Sequence, residues 1–105
     1  MFAKLFLRLF GWVFAWIPKT NIDFESLYDS VDYWYIEVYN ATGRAEREIG
    51  FSSSEGPIVF GPTNRNYGVW TDSDRIFTIP SYPLVDDAEF NKQWNYLRKI
   101  KRECL

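Results

Sequence analysis

The sequence predicts an α+β domain. Four or five antiparallel strands form a meander sheet, a C-terminal amphipathic helix covers it, and an apolar N-terminal helix packs on it. Two observations carry this prediction. Residues 32–79 contain short runs of alternating aromatic and β-branched residues, separated by Gly, Pro, Asn and Ser. Residues 86–103 carry apolar side chains at helical spacing. A chain of 105 residues fits one domain, residues 1–105.

The strand signals are strongest between residues 32 and 51. The run DYWYIEVY alternates, NATG is a turn, and RAEREIGF is the returning strand, so these residues predict a hairpin. Three further runs, IVF at 58–60, YGVWT at 67–71 and RIFTI at 75–79, predict the remaining strands.

Two registers fit this hairpin. The first sets Glu37 opposite Glu46, and the second, slipped by one residue, sets Glu37 opposite Arg47 but aligns Ile36 with Glu48. We choose the first register because it matches the apolar pattern best. It opposes two like charges, which destabilises a sheet. It therefore marks this face as a candidate binding surface and predicts that Glu37→Lys leaves the stability unchanged or slightly raised.

The C-terminal helix has both start and face signals. Asp86 is a potential N-cap and Glu89 follows three residues later, as in a capping box. One face of the helix collects the apolar residues Phe90, Trp94, Leu97, Ile100 and Cys104.

The apolar N-terminal segment, residues 1–17, is the hardest to assign. As a helix it would be about 26 Å long, short of the ~30 Å hydrocarbon core, and Arg8 lies near its midpoint. The small residues of a signal-peptide cleavage site are missing. Two interpretations remain: a helix that covers the sheet, or a helix lying in a membrane interface with Lys4 and Arg8 towards the phosphates. We favour packing because interfacial helices usually have a broader polar face.

Catalytic and metal-binding chemistry has few candidates. The chain has no histidine and one cysteine, Cys104, so we expect no enzymatic activity, no cofactor and no metal site. Asp72 and Asp74 resemble the start of a calcium loop. However, Phe77 stands where the loop needs glycine and Pro83 where it needs glutamate, so we interpret the two aspartates as turn residues.

Charge is distributed unevenly along the chain. Residues 20–89 carry four Arg and thirteen Asp or Glu, a balance of −9. This argues against binding nucleic-acid phosphates and favours a basic protein partner. The candidate partner-binding residues are Tyr33, Tyr35, Glu37, Glu46, Glu48, Asp72 and Asp74.

Residues 34–77 resemble small bacterial immunity proteins encoded beside polymorphic or contact-dependent growth-inhibition toxins. The resemblance lies in the W-Y-x-E-V strand, REIGF, the GP pair and NYGVWTDS, with a closing helix containing F-x-x-x-W. It implies a protein that binds a cognate toxin domain and blocks its active site. With it we expect a cytoplasmic location, peripheral at the inner membrane if residues 1–17 touch lipid. The alternative is a small membrane-associated protein anchored by its N-terminal amphipathic helix.

Overall fold

A four-stranded antiparallel sheet forms the centre of the fold. The computed structural model describes residues 2–8 and 23–101. The strands follow each other in chain order: β1 (Phe2–Arg8), β2 (Tyr33–Tyr39), β3 (Ala45–Ser52) and β4 (Gly56–Gly61). Helix α1 (Asp87–Ile100) closes the chain, and short 3₁₀ helices occupy Glu25–Ser30 and Ile79–Ser81. The predicted antiparallel sheet with a C-terminal helix is confirmed.

The N-terminal helix is a wrong prediction for residues 2–8. This stretch is the strand β1, which pairs with β2 along its whole length, from Phe2 opposite Tyr39 to Arg8 opposite Tyr33. Leu5 and Leu7 alternate with more polar or more exposed positions and enter the core, as a two-residue period requires. The rest of the predicted helix, residues 9–17, lies outside the described residues. The alternative function, a membrane anchor formed by an N-terminal helix, therefore lacks the first half of that helix.

The hairpin register differs from the one we chose. Glu37 lies opposite Arg47 and Ile36 opposite Glu48, as in the slipped register. At the next position the pairing shifts, and Val38 lies opposite Ala45 instead of Glu46. A β-bulge at Glu46 absorbs the extra residue. The bulge keeps the apolar side chains of both strands on one face near the turn. The supposed clash of two glutamates does not exist.

The predicted strands at 67–71 and 75–79 are also wrong, because residues 62–82 form an irregular segment after β4. Between described residues, Ile76 of this segment forms an isolated bridge with Arg44. Gly68 has φ +94°, a left-handed conformation that interrupts an extended strand. Near Pro83 the chain returns to β1, where Leu84 bridges Leu5 and gives the edge strand a partner.

The two faces of the sheet are covered differently. On one face lies α1, whose Phe90 and Leu97 are buried and whose Trp94 packs edge-on to Phe60 with ring centroids 5.1 Å apart. The predicted capping box is absent, because the Asp86 side chain makes no capping hydrogen bond. On the opposite face, the irregular segment contributes the buried residues Val69, Trp70 and Phe77.

Candidate protein-binding surface

The seven predicted partner-binding residues do not form one surface. Glu37 and Glu48 are buried, at 5% and 1% exposure, and point to opposite faces of the sheet. Tyr33 and Tyr35 are half-buried. The three exposed residues are Glu46, Asp72 and Asp74.

Glu37 is held by two cations on the face that α1 covers. Its carboxylate lies 3.0 Å from Lys4 Nζ and accepts two 2.7 Å hydrogen bonds from Arg47 Nε and Nη2. Arg47 also lies 4.8 Å from the Phe90 ring centre and 4.9 Å from that of Trp94. Burial opposes ionisation, but the two cations outweigh it and lower the pKa of Glu37. This glutamate ties β1, β2 and β3 together and is closed to a partner.

Glu48 is held by amide groups of the irregular segment, and none of the described cations forms a salt bridge with it. Its Oε1 accepts hydrogen bonds from the backbone N–H groups of Val69, Trp70 and Thr71 at 2.7–3.0 Å, and the Val69 N–H is shared with Oε2, which lies 2.8 Å from that nitrogen. Burial raises the pKa of the Glu48 carboxyl, while these hydrogen bonds work in the opposite direction. Glu48 therefore fixes the path of residues 69–71 over the sheet.

Tyr33 and Tyr35 belong to an aromatic cluster on the α1 side. Tyr33 stacks on Phe51 with ring centroids 4.8 Å apart, and Tyr35 lies 4.3 Å from the same ring. The Tyr35 hydroxyl donates to Glu89 on α1 at 3.2 Å. Burial, and then the neighbouring Glu89 carboxylate, raise the pKa of Tyr35 to about 12. Ring contacts within the sheet account for Tyr33, and contacts with α1 account for Tyr35, so neither position requires a protein partner.

Exposed apolar side chains gather at the end of the molecule formed by the β2–β3 turn. Phe2 and Tyr39, paired across β1 and β2, have ring centroids 5.4 Å apart and expose 43% and 38% of their surface. Ile76, 58% exposed, bridges Arg44 just after the turn and would touch a Cβ placed on Gly43. Three large apolar groups are thus presented around one tight turn.

Acidic side chains flank these apolar groups. Asp72 and Asp74 stand on either side of Ser73, whose carbonyl accepts a hydrogen bond from Arg44 Nη2 at 3.4 Å. Glu46 is the bulge residue two positions after Arg44. Among the described residues, none of these three carboxylates forms a salt bridge. We name Phe2, Tyr39, Ile76, Glu46, Asp72 and Asp74 the turn surface. Phe2 and Tyr39 lie on the α1 side of the sheet and the segment with Ile76, Asp72 and Asp74 on the other side, so the β2–β3 turn is what joins the two parts.

Sequence reasoning found the acidic half of the turn surface and missed the apolar half. Phe2 was assigned to a helix, and Ile76 to the interior of a strand. Tyr39 carried a usable signal, because the last residue before a hairpin turn is often left exposed at the end of a sheet. The proximity of Ile76 to the turn depends on the irregular segment and had no local signal.

Other kinds of site find little support in the described part of the chain. Residues 2–8 and 23–101 form no pocket, and they contain no group of three side chains suited to a metal ion. None of the helices described here has the length and apolar character needed to cross a bilayer. Comparison with known proteins adds no constraint: no family model, curated protein or solved structure matches the chain.

Proposed function

We propose that this protein is an immunity protein that binds a basic toxin domain through the turn surface and blocks its active site. The observation that carries the proposal is the combination at the β2–β3 turn of exposed aromatic and aliphatic groups with carboxylates that form no salt bridge to any described residue. Apolar groups at the centre and charges at the rim are the usual composition of a protein-binding patch.

The charge of the patch favours a basic partner. Toxins that cut nucleic acids need cationic clefts, and a carboxylate-rimmed surface would occupy such a cleft in place of the substrate. Complementary charge mainly accelerates association, while buried aromatic anchors slow dissociation. In this scheme Glu46, Asp72 and Asp74 steer the encounter, and Tyr39 with Phe2 supplies the buried anchor.

The rigidity of the scaffold is consistent with this role. Glu48 holds the segment that carries Asp72, and the backbone N–H of Phe77 donates to the Gly43 carbonyl at 2.7 Å, next to Ile76. A surface whose shape is set before binding loses less conformational entropy when the partner arrives.

The test is protection of bacterial cells that express a candidate toxin domain, taken from a neighbouring reading frame. We expect the wild-type chain to restore growth and the Glu46→Lys/Asp74→Lys variant to fail, with an association rate at least tenfold lower in low salt. Asp29→Lys/Glu55→Lys is the matched control, because it changes the net charge equally at two exposed acids away from the turn.

The contribution of the aromatic anchor can be measured separately from that of the carboxylates. Tyr39→Ala should weaken toxin binding by about 1–3 kcal/mol, mostly through faster dissociation. Failure of the wild-type chain to protect would refute the immunity function itself. If Glu46→Lys/Asp74→Lys and Asp29→Lys/Glu55→Lys protect the cells equally, the immunity function stands but the turn surface is not its binding surface.

A further inference from the structure

The outer face of α1 is a second exposed surface that the turn surface does not use. Lys92, Tyr96, Lys99 and Ile100 recur at intervals of four, three and one, which places them on one side of the helix. Phe90 and Leu97 lie on the other side and are buried against the sheet, whereas Ile100, which the sequence analysis placed on their face, is exposed. We name the four outer residues the basic face.

Two of these residues are large apolar groups left in solvent. Tyr96 exposes 50% of its surface and Ile100 exposes 48%. They are one helical turn apart and therefore adjacent. The helix thus carries an exposed apolar strip, in addition to its buried strip.

The cations of the helix are not neutralised within the part of the chain that the structure describes. There, Lys92, Arg98 and Lys99 are exposed and take part in no salt bridge. The acids of α1 stand at its beginning, where Asp87 lies 3.5 Å from Lys4 and Glu89 accepts hydrogen bonds from Tyr35 and Gln93. Positive charge therefore accumulates towards the C-terminal half of α1.

We propose that the basic face docks on an anionic lipid surface. The lysines would contact the lipid phosphates in the headgroup layer. The exposed tyrosine and isoleucine between them would enter the boundary between headgroups and acyl chains below. Phosphate binding by a nucleic acid would use the lysines but not Ile100. The outer side of a helix is convex, so it meets a flat bilayer more readily than it encloses an extended chain.

The orientation that follows is compatible with the charge of the rest of the molecule. The helix lies on one face of the sheet, and the segment with Asp72 and Asp74 lies over the opposite face. When the basic face meets lipid, these acids point away from the anionic bilayer. This contact differs from the N-terminal anchor considered above, and it does not depend on toxin binding.

The contact should be weak and reversible. Each Lys or Arg near an anionic bilayer raises binding about fivefold, and a partly inserted Tyr and Ile add a comparable factor. Stable anchoring requires a further signal.

The test is co-sedimentation of the full chain with vesicles of phosphatidylcholine containing about 30% phosphatidylserine, at low and at physiological salt. We expect binding to these vesicles and little to phosphatidylcholine alone. Lys92→Gln/Lys99→Gln should lower binding about 25-fold, and Tyr96→Ser about threefold. The matched control is Arg44→Gln/Arg65→Gln, which removes two exposed cations elsewhere and should change binding less than twofold.

Circular dichroism confirms that each variant is folded before sedimentation. The proposal is overturned if the wild-type chain stays in the supernatant, if it pellets equally with neutral vesicles, or if both double variants lose the same amount. A nucleic-acid surface replaces the proposal if the chain does not bind the vesicles but binds polyuridylic acid through Lys92 and Lys99.

Discussion

Two buried glutamates on opposite faces of the same sheet are stabilised in different ways. Glu37 faces α1 and is neutralised by charge, with Lys4 at 3.0 Å and Arg47 in a bidentate pair at 2.7 Å. Glu48 faces the irregular segment, and the described groups that bind it are dipoles: the amides of residues 69–71 and the Thr71 hydroxyl at 3.3 Å.

The difference matches what each glutamate organises. Lys4 of β1 and Arg47 of β3 lie directly opposite Glu37 in the sheet, and α1 is added through Asp87, which contacts Lys4, and Asn91, which contacts Arg47. The segment over Glu48 has almost no ladder of its own, so its amides need another acceptor. A buried carboxylate can therefore replace a missing strand partner, as well as balance a buried cation.

The largest effect should follow from Glu48→Ala. Removal of the carboxylate leaves three backbone N–H groups without their acceptor and opens a cavity, so we expect a loss of about 4–5 kcal/mol in the free energy of unfolding. Urea denaturation measures it, with Glu46→Ala as the exposed control at less than about 0.5 kcal/mol.

If Glu48→Ala does not fold, Glu48→Gln tests the same idea. Its single carbonyl can replace Oε1, but its NH₂ group faces the Val69 amide, so we expect about 2–3 kcal/mol. A loss below about 0.5 kcal/mol in this variant would show that the amides do not depend on the negative charge.

Glu37→Lys should cost about 3–4 kcal/mol, because it puts a third cation between Lys4 and Arg47 in a buried site. This reverses the expectation drawn from the register that we chose from the sequence. The triple replacement Lys4→Met/Glu37→Met/Arg47→Leu, which removes the whole ion cluster, should recover most of that stability. Thermal unfolding of both variants distinguishes a lost ion pair from lost packing. If packing is what Glu37→Lys destroys, the triple variant will be as unstable as the single one.

Gly68→Ala should cost about 2 kcal/mol and act only on the Glu48 side of the sheet. Gly68 has φ +94°, and a Cβ there would lie 2.9 Å from Glu48 Oε1 and collide with Thr71 Oγ1. Gly56→Ala is the control for left-handed backbone alone, because its φ is +78° and no atom lies within 4 Å of the added Cβ. Hydrogen exchange of residues 69–71 should accelerate in Gly68→Ala and stay unchanged in Gly56→Ala.

The smallest effect is a pH dependence of opposite sign for the two glutamates. The pKa of Glu37 is lowered below its ordinary 4.5, so its contribution is present above 4.5 and is lost as the pH falls through the folded pKa. The pKa of Glu48 is raised, so its contribution is greatest at low pH and decreases as the pH rises through the folded pKa.

Stability curves between about pH 3 and pH 7 test this difference. Glu37→Gln should lose less stability on acidification than the wild-type chain, and Glu48→Gln should lose more. Parallel curves for the two variants would mean that the surroundings do not shift the two pKa values in opposite directions.

Much of the fold follows from local patterns in the sequence. The alternation of DYWYIEVY, the NATG turn and the helical spacing after Asp86 predict β2, β3 and α1 close to their observed bounds, because each element buries one face of its own period. The exposure of Glu46, Asp72 and Asp74 also follows from turn chemistry and charge.

Only the tertiary structure decided which apparent strands are strands, and how they pair. The run from Phe2 to Arg8 fits both a helical and a two-residue period, and its place beside β2 depends on Lys4 meeting Glu37. The YGVWT run has strand composition, yet Glu48 takes the amides that a ladder would have used. A glutamate in a strand does not reveal its partner locally: the amides that bind Glu48 are 21 to 23 residues further along the chain. The irregular segment and the apolar half of the turn surface depend on such contacts, and the hairpin register depends on the bulge at Glu46.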